Sequence, residues 1–221
     1  MRGIDIYKNL IFDCDGIILN SNKIKTDAFR EVVSIYGKEA SNSLVKYHLQ
    51  NGGISRYHKF NYFLNTIAKN LELDIQNISL DELTNNYSKC VRKKLLNCEI
   101  DESIISYRKS SNSIWSIVSG SDQHELNQVF RERNIDSIFD GGIHGSPLSK
   151  IQIFKRIFEE NKNDIQKSLY IGDSKYDYLA AKEIGLDFIF LTKWSEFREI
   201  KAFSKENNIR VFFEFSDLLE K

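Results

Sequence analysis

Short apolar runs recur along the chain, and each of them is followed by small or polar residues. They occupy residues 9–14, 113–118, 168–171 and 187–191. A short continuous apolar run of this kind is typical of a strand that is buried on both faces of a sheet. The runs therefore predict strands in the interior of a parallel sheet.

Helical periodicity separates the later runs. Apolar side chains recur at helical spacing in residues 122–133 and again in residues 149–159. Strands that alternate with helices indicate a parallel sheet covered by helices on both faces. Ligands of such sheets bind beyond the carboxyl ends of the strands, and the sequence places Asp13, Ser119 and Asp173 there.

The stretch from about residue 21 to residue 110 contains no clear strand-like run and has the pattern of successive helices. Residues 22–36 have apolar positions at helical spacing, and Ser55 and Asp81 are candidate N-caps of two further helices. Asn51 and the two glycines after it predict a loop between helices. We therefore predict a helical insertion after the first strand.

Composition and charge narrow the possible functions. A chain of 221 residues is long enough for one large domain, or for a core domain with a smaller inserted one. Hydrophobic residues make up 41% and charged residues 28%, which is typical of globular proteins. Basic and acidic residues number 31 each, so we expect neither a nucleic-acid partner nor a membrane surface.

The apolar run at residues 10–19 is interrupted by Asp13 and Asp15 and has no basic leader, so we interpret it as neither a signal peptide nor a membrane span. The cysteines have no CxxC spacing and cannot all pair, which suits a reducing compartment. They are Cys14, Cys90 and Cys98. We expect a cytoplasmic protein that is a monomer or a homodimer.

The motif FDCDG at residues 12–16 places two carboxylates, Asp13 and Asp15, two residues apart at the end of a predicted strand. An extended backbone would put both side chains on one side. Two like charges so close repel each other unless a cation or a proton lies between them, so the spacing requires a metal or a raised pKa. By itself, the motif would more simply be a strand that ends in a solvated acidic turn.

Two later features could bind an anion. Ser119 follows a predicted strand and, with residues 120–122, opens a helix whose free N–H groups attract negative charge. A plain helix cap is the alternative interpretation. Lys150 opens the next helix, where the helix dipole disfavours a cation, so a lysine there makes more sense if it faces carboxylates.

A second acidic motif, IGDSKYD at residues 171–177, again ends an apolar run and places Asp173 and Asp177 four residues apart. Mg²⁺ needs only one or two protein carboxylates, because it keeps waters and binds substrate phosphate. A capped turn explains this motif equally well when it is taken alone.

Taken together and in this order, the motifs resemble the haloacid dehalogenase-like superfamily, whose pattern is DxD, Ser/Thr, Lys and then GDxxxD. The resemblance covers the whole chain, and the layout most resembles the phosphoglycolate phosphatase and β-phosphoglucomutase branch. It implies an α/β fold: a three-layer Rossmann-like parallel sheet core at residues 1–20 and 103–221, with an inserted all-helical cap domain at residues 21–102.

The resemblance also implies a magnesium-dependent phosphatase. Asp13 would attack phosphorus and become an aspartyl phosphate, while Asp15 would protonate the leaving oxygen and later deprotonate the water. Mg²⁺ would be held by the Asp13 carboxylate, the backbone carbonyl of Asp15 and Asp173, with Asp177 in support. The dehalogenases of the superfamily lack an acid at the position of Asp15, so a reaction at a phosphate is favoured.

Substrate contacts follow from the same resemblance. Ser119, Gly120 and Lys150 would bind the phosphoryl oxygens, so that fixed donors meet the charge that develops during transfer. In the cap, the segment GISR at residues 53–56 resembles the specificity loop of the β-phosphoglucomutase branch. Arg56, with His58 and Lys59 nearby, would reach a polar or anionic part of the substrate. An exposed side chain is the alternative for Arg56.

Other functions remain possible on the same pattern. A sugar phosphomutase would use the same core; mutases of this branch tend to have a Thr or His that reaches the acid, whereas the hinge here offers Asn20, Ser21 and Asn22. A receiver-like phosphate-binding module would be much shorter and lack the insertion. A catalytically inactive member is disfavoured because no catalytic position is lost. The segment FDCDGIILNSN also resembles phosphatases of bacterial surface-polysaccharide precursor synthesis. This resemblance suggests that the substrate is a sugar phosphate or another small phosphomonoester.

Overall fold

One parallel sheet forms the centre of the computed structural model, which describes residues 3–161 and 164–219. Its strands are β1 (Asn9–Phe12), β2 (Ile114–Asp122), β3 (Ile143–Ser146), β4 (Ser168–Gly172), β5 (Asp187–Leu191) and β6 (Arg210–Phe212). The six strands are ordered β3-β2-β1-β4-β5-β6, and every neighbouring pair is parallel. All four predicted strands are therefore confirmed, and they form the interior of the sheet.

The sequence did not predict the two edge strands, β3 and β6. Edge strands are paired on one side only and need no continuous apolar run. β3 contains His144, Gly145 and Ser146, and β6 begins at Arg210 and leaves Val211 40% exposed. β3 is mostly polar and β6 is only three residues long and begins with a charged residue, so neither was recognised as a strand.

Helices cover both faces of the sheet and form the cap. They are α1 (Asn22–Val32), α2 (Lys38–Gln50), α3 (Arg56–Tyr62), α4 (Ala68–Asn70), α5 (Leu80–Asn97), α6 (Glu102–Arg108), α7 (Gln123–Glu132), α8 (Lys150–Asn161), α9 (Lys175–Ile184) and α10 (Ile200–Glu206). Among the described helices, none is both long enough and apolar enough to cross a bilayer.

Alternation along β1 explains the two layers of helices. Ile11 packs with Phe154 of α8 on one face, whereas Leu10 and Phe12 belong to the apolar cluster on the other face, together with Phe130 of α7. Successive side chains of a strand point to opposite faces, so a strand that is apolar at every position requires cover on both. The predicted three-layer α/β fold is confirmed.

The insertion between β1 and β2 is helical, as predicted. Ser55 caps α3, because its hydroxyl accepts a hydrogen bond from the backbone N–H of His58. The N-cap assigned to Asp81 was wrong: Ser79 has the extended backbone and accepts from the N–H of Glu82, so Asp81 lies inside the first turn of α5. The predicted loop at residues 51–53 separates α2 from α3.

The chain enters and leaves the cap through two adjacent segments. Leu19 forms an antiparallel bridge with Ile100, and the N–H of Asn20 donates to the carbonyl of Glu99 at 2.9 Å. The predicted division into residues 21–102 and the rest of the chain stays a prediction that fits this geometry. Residues 1, 2, 162, 163, 220 and 221 of the predicted core lie outside the described residues.

Candidate active site

The predicted core residues lie at the carboxyl edge of the sheet. Asp13 follows β1, Lys150 begins α8, Asp173 follows β4, and Asp177 lies in the first turn of α9. Carboxylate oxygens of the three aspartates lie within 4.8 Å of one another, and Lys150 Nζ is 3.0 Å from Asp13 Oδ1. The parallel topology has gathered side chains that are far apart in sequence.

Asp13 has one carboxylate oxygen engaged and the other available. Its Oδ1 accepts hydrogen bonds from the backbone N–H of Cys14 at 2.7 Å and faces Lys150, while no described residue donates to its Oδ2. The side chain is buried and lines a cavity. Burial raises the pKa of Asp13 to about 7, against the opposing effect of Lys150.

Asp177 holds Lys150 and the start of α9 in place through hydrogen bonds. Its Oδ1 accepts from Lys150 and from the hydroxyl of Tyr170 at 2.7 Å, and its Oδ2 accepts from the hydroxyl of Ser174 at 2.6 Å. Ser174 and Asp177 form a reciprocal capping box at the start of α9. The capped turn and the charged site are therefore the same structure, in which Asp177 fixes the position of Lys150.

The acidic cluster is suited to a divalent cation. Asp13, Asp173 and Asp177 are all buried, and Lys150 is the cation in contact with them among the described residues. Burial, together with repulsion from Asp177 and Asp13, raises the pKa of Asp173 well above its usual range. Buried carboxylates in excess of their cations need a proton or a metal, and oxygen ligands are those that Mg²⁺ prefers.

Asn22 and Gly16 position Asp173, and the sequence did not assign this role to either. The Asn22 amide donates to Asp173 Oδ2 at 2.6 Å and to the carbonyl of Trp194 at 2.9 Å. Gly16 has a φ of +78°, and a Cβ there would lie 2.3 Å from Asp173 Oδ2 and 2.4 Å from the Asn22 amide nitrogen. Only glycine fits both the backbone and the space.

Asp15 is held by three side chains. Ser21 donates to its Oδ1 at 2.5 Å, while Lys25 and Ser121 contact its Oδ2 at 2.6 and 2.7 Å. Burial acts to raise the pKa of Asp15, but Lys25 and the two hydroxyls outweigh it and lower that pKa. Sequence reasoning missed Lys25; the available signal was a lysine one helical turn from Phe29 on the apolar face of α1.

Ser119 was expected to open a helix together with residues 120–122. It lies inside β2 instead. β2 continues to Asp122, whose carboxylate caps α7 by accepting from the N–H of Glu125 at 2.9 Å. Ser119 is buried, and its hydroxyl oxygen accepts from the N–H of Ser121 at 3.1 Å. Its hydroxyl hydrogen therefore has no partner among the described residues and is available to a ligand.

The cap lies directly against this edge of the core. A Cβ at Gly120 would lie 2.2 Å from the carbonyl oxygen of Gly53, and a Cβ at Gly53 would lie 2.8 Å from the hydroxyl of Ser174. Between cap and core is a cavity of about 320 Å³. Its lining includes Asp13, Asp15, Gly120, Asp173 and Glu196 from the core, and Lys25, Phe29, His48, Arg56, Lys59 and Tyr87 from the cap.

Comparison with known proteins identifies the family. Residues 10–191 match the sequence profile of the haloacid dehalogenase-like hydrolases. The chain belongs to this family. The resemblance inferred from the motifs is thereby confirmed, and the hydrolase profile spans both the acidic motifs and the cap. A search of curated protein sequences finds no match.

Solved structures share the fold of this hydrolase at low sequence identity. A predicted phosphoglycolate phosphatase from Haemophilus somnus is 18% identical, with a TM-score of 0.79 and 98% of each chain covered. CbbY from Rhodobacter sphaeroides in complex with phosphate is 15% identical, with a TM-score of 0.70 and 96% of each chain covered. YfnB from Bacillus subtilis, bound to magnesium, is 18% identical, with a TM-score of 0.62 and coverage of 92% of this chain and 99% of YfnB.

Arg56 of this hydrolase joins the cap to the core. Its guanidinium binds both carboxylate oxygens of Glu125 on α7, donates to the hydroxyl of Ser88 at 2.8 Å, and lies 4.6 Å from the centre of the Tyr87 ring. The alternative of an exposed side chain is wrong, because Arg56 is only 4% exposed. Its contact with substrate stays a prediction, since the cation already has a partner within the protein.

Loss of the buried pair between Arg56 and Glu125 should lower the free energy of unfolding much more than loss of a surface pair between the cap and α7. In Glu125→Gln, the guanidinium of Arg56 stays buried without a counter-charge, so we expect the free energy of unfolding to fall by about 3–5 kcal/mol. The side chains of Arg56 and Glu125 are 4% and 10% exposed. Equilibrium unfolding in denaturant measures the change.

Glu132→Gln is the matched control, because Glu132 lies on the same helix and pairs with Arg92 of the cap at 2.8 Å. The side chain of Arg92 is 55% exposed and that of Glu132 is 43% exposed, so the free energy of unfolding should fall by less than about 1 kcal/mol. Equal losses in the two variants would contradict the assignment of Arg56 and Glu125 as the principal electrostatic tie between cap and core.

Proposed function

We propose that this hydrolase is a magnesium-dependent phosphatase that cleaves a small phosphomonoester through an aspartyl phosphate on Asp13. The single observation that carries the proposal is the geometry of Asp13. Its Oδ2 lacks a donor among the described residues and its side chain lines the cavity, while its Oδ1 faces Lys150 at 3.0 Å. A fixed carboxylate with one free oxygen and an adjacent cation is suited to nucleophilic attack on phosphorus.

Mg²⁺ would be held by the Asp13 carboxylate, the backbone carbonyl of Asp15 and the Asp173 carboxylate. Asp177 supports this set from behind, because both of its oxygens already accept hydrogen bonds from the protein. The bound ion would supply positive charge to the phosphoryl oxygens and offset the repulsion between the carboxylates and the substrate. The raised pKa values of Asp13 and Asp173 support a cation at this position.

The protein side chains divide the reaction between them. Asp13 Oδ2 forms the new bond to phosphorus as the bond to the leaving oxygen breaks, and Asp15 gives that oxygen a proton. Lys150 and the hydroxyl of Ser119 hold the phosphoryl oxygens, and the backbone of Gly120 borders them. Water then attacks phosphorus as Asp15 takes its proton, and the bond between phosphorus and Asp13 Oδ2 breaks, which releases inorganic phosphate and the free carboxylate. The ionised form of Asp15 that Lys25 favours is the form that can accept this proton.

The cavity limits the size of the leaving group. A volume of about 320 Å³ between the cap and the core suits a sugar phosphate or another phosphorylated small metabolite. Closure keeps bulk water from the aspartyl phosphate until the leaving group has moved away. The sequence FDCDGIILNSN favours a role in surface-polysaccharide precursor synthesis, and the spacing of the three cysteines favours a cytoplasmic location.

A phosphomutase is the second candidate, and one contact favours it. The hydroxyl of Ser21 reaches Asp15 Oδ1 from the hinge at 2.5 Å. A hydroxyl therefore contacts the acid, although the residue is Ser and not the Thr or His expected of a mutase. A mutase would need a bisphosphate activator and would release no net phosphate. Free phosphate released in the absence of any bisphosphate would support the phosphatase.

Metal removal tests the proposal directly. Phosphate release is measured on a panel of sugar phosphates, phosphoglycolate, nucleotides and p-nitrophenyl phosphate, before and after treatment with EDTA. We expect turnover of at least one small phosphomonoester, its loss on chelation and its recovery with Mg²⁺, because Asp13, Asp173 and the phosphate would otherwise repel one another. Turnover that survives thorough chelation would contradict the metal site, and no turnover of any ester would contradict the phosphatase.

A further inference from the structure

Lys59 is a buried cation of the cavity that lacks a counter-charge. It lies on α3 of the cap, is 3% exposed and lines the same cavity as Asp13. Of the other cations that line the cavity, Lys25 pairs with Asp15 and Arg56 pairs with Glu125, while Lys175 of α9 lies 5.4 Å from the centre of the Phe203 ring. No described carboxylate forms an ion pair with Lys59. A buried ammonium group without a partner is unusual, because desolvation of the charge is costly.

A hydrogen-bonded chain orients the Lys59 ammonium group. Thr26 of α1 donates to Glu196 at 2.6 Å, so the His48 Nε2, which is 2.9 Å from the Thr26 hydroxyl oxygen, must be the donor of that bond. His48 Nδ1 is then an acceptor, and Lys59 Nζ donates to it at 2.7 Å. The chain thus runs from Glu196 of the core through two cap helices to Lys59, with one consistent direction.

This arrangement leaves donors of Lys59 unused. An ammonium group has three N–H donors, and His48 accepts one of them. The ring of Phe29 flanks the group, with its centre 5.3 Å from Nζ, and can accept no conventional hydrogen bond. Burial, together with repulsion from Lys25, lowers the pKa of Lys59 to about 7, so the ammonium form is unfavourable until an anion joins it.

We propose that Lys59, oriented by His48 and Thr26, binds a second anionic group of the substrate, separate from the phosphoryl group that Asp13 attacks. The occupant is a carboxylate or a second phosphate, which would supply the missing counter-charge and accept the unused N–H groups. This proposal rests on the proposed function, because both concern the same cavity. It gives the role of anion recognition to Lys59 and leaves Arg56 as the tie between cap and core.

The test compares binding of matched esters that differ in one anionic group. Dissociation constants are measured by calorimetry in the Asp13→Asn background, which prevents turnover, and in the same background with Lys59→Met. The pairs are phosphoglycolate with ethyl phosphate, 3-phosphoglycerate with glycerol 3-phosphate, and fructose 1,6-bisphosphate with fructose 1-phosphate. The protein that keeps Lys59 should bind more tightly the member of at least one pair that has the additional anionic group. Lys59→Met should reduce that preference by about ten- to a hundredfold.

The first two pairs test a carboxylate and the third a second phosphate, so the preferred pair identifies the anion. Lys69→Met is the control, because Lys69 is an exposed lysine of the adjacent helix α4 and should leave the preference unchanged. If Lys59→Met does not fold, Lys59→Gln replaces it, since the amide keeps a donor for His48 without the charge.

The outcomes separate this proposal from the phosphatase itself. Equal binding of both members of every pair, or a preference that survives the loss of Lys59, would overturn the anion site even if wild-type protein hydrolyses the esters that lack the second anionic group. A preference that depends on Lys59 in a protein without turnover of any ester would support the anion site and contradict the phosphatase.

Discussion

Asp13→Asn is expected to abolish phosphate release while the protein still folds. The amide matches the carboxylate in shape and can still accept the hydrogen bond from the Cys14 N–H, but it is too weak a nucleophile to form the phosphoenzyme. We expect kcat/KM to fall by at least about ten-thousandfold on any substrate that the wild type hydrolyses. Phosphate release under saturating Mg²⁺ is the measurement.

The same substitution should not reduce stability. Burial raises the pKa of Asp13 to about 7, which means that the ionised form is costly to bury, and the amide also removes repulsion from Asp177 and Asp15. The control is Asp27→Asn, since Asp27 lies on the surface in a pair with Lys23 at 3.5 Å and should keep full activity. Near-normal turnover by Asp13→Asn would refute Asp13 as the nucleophile.

Lys150→Met is expected to have the second largest effect, because it removes the cation from the acidic cluster. Lys150 is 1% exposed and contacts Asp13, Asp177 and the hydroxyl of Tyr170. Without it, the phosphoryl group loses a fixed positive charge, and we expect kcat/KM to fall by about a thousandfold. The free energy of unfolding should fall by about 3–5 kcal/mol, because buried carboxylates lose their partner.

Lys155→Met provides the comparison for Lys150. Lys155 lies on the same helix, its side chain is 58% exposed, and its Nζ is 3.9 Å from Glu183, so its loss should change neither turnover nor stability measurably. Added Mg²⁺ should recover part of the stability of Lys150→Met, since both cations neutralise the same carboxylates. A Lys150→Met protein that keeps wild-type turnover would show that Lys150 serves only to fold the site.

Several features of the fold and the core site could be predicted from the sequence because short motifs report local geometry. An apolar run that ends in acid places a carboxylate at a strand end, and parallel strands bring their carboxyl ends to one edge. Asp13, Asp173 and Asp177 meet for this reason. The edge strands β3 and β6 could not be predicted in this way, because β3 is mostly polar and β6 is a run of only three residues that begins with Arg210.

The hydrophobic periodicity of the sequence could not predict the contacts between the cap and the core. Arg56 meets Glu125 across 69 residues, Lys25 meets Ser121 across 96, and Asn22 meets Asp173 across 151. A helical pattern identifies the buried face of a helix but not the surface that covers it. The sequence therefore placed Arg56 near the substrate without revealing Glu125, and it gave no sign that Lys25 would bind Asp15.

In the proposed function, residues of the core carry out the chemistry and residues of the cap determine the specificity. Groups that act on the phosphoryl centre belong to the core, where β1, α8 and the turn after β4 fix them. Lys59 and His48 belong to the cap and can contribute only when the cap lies against the core. Binding at Lys59 would therefore favour the closed arrangement in which Asp13 is shielded from bulk water.

Detection of the phosphoryl group on Asp13 tests the central claim most directly. The enzyme is quenched with acid during turnover of its best substrate in the presence of Mg²⁺, and the peptide that contains residues 9–16 is analysed by mass spectrometry. We expect one phosphoryl group on Asp13 in the wild type and none in Asp13→Asn. Steady phosphate release by the wild type and by Asp13→Asn alike, with no phosphoryl group on this peptide, would contradict the account.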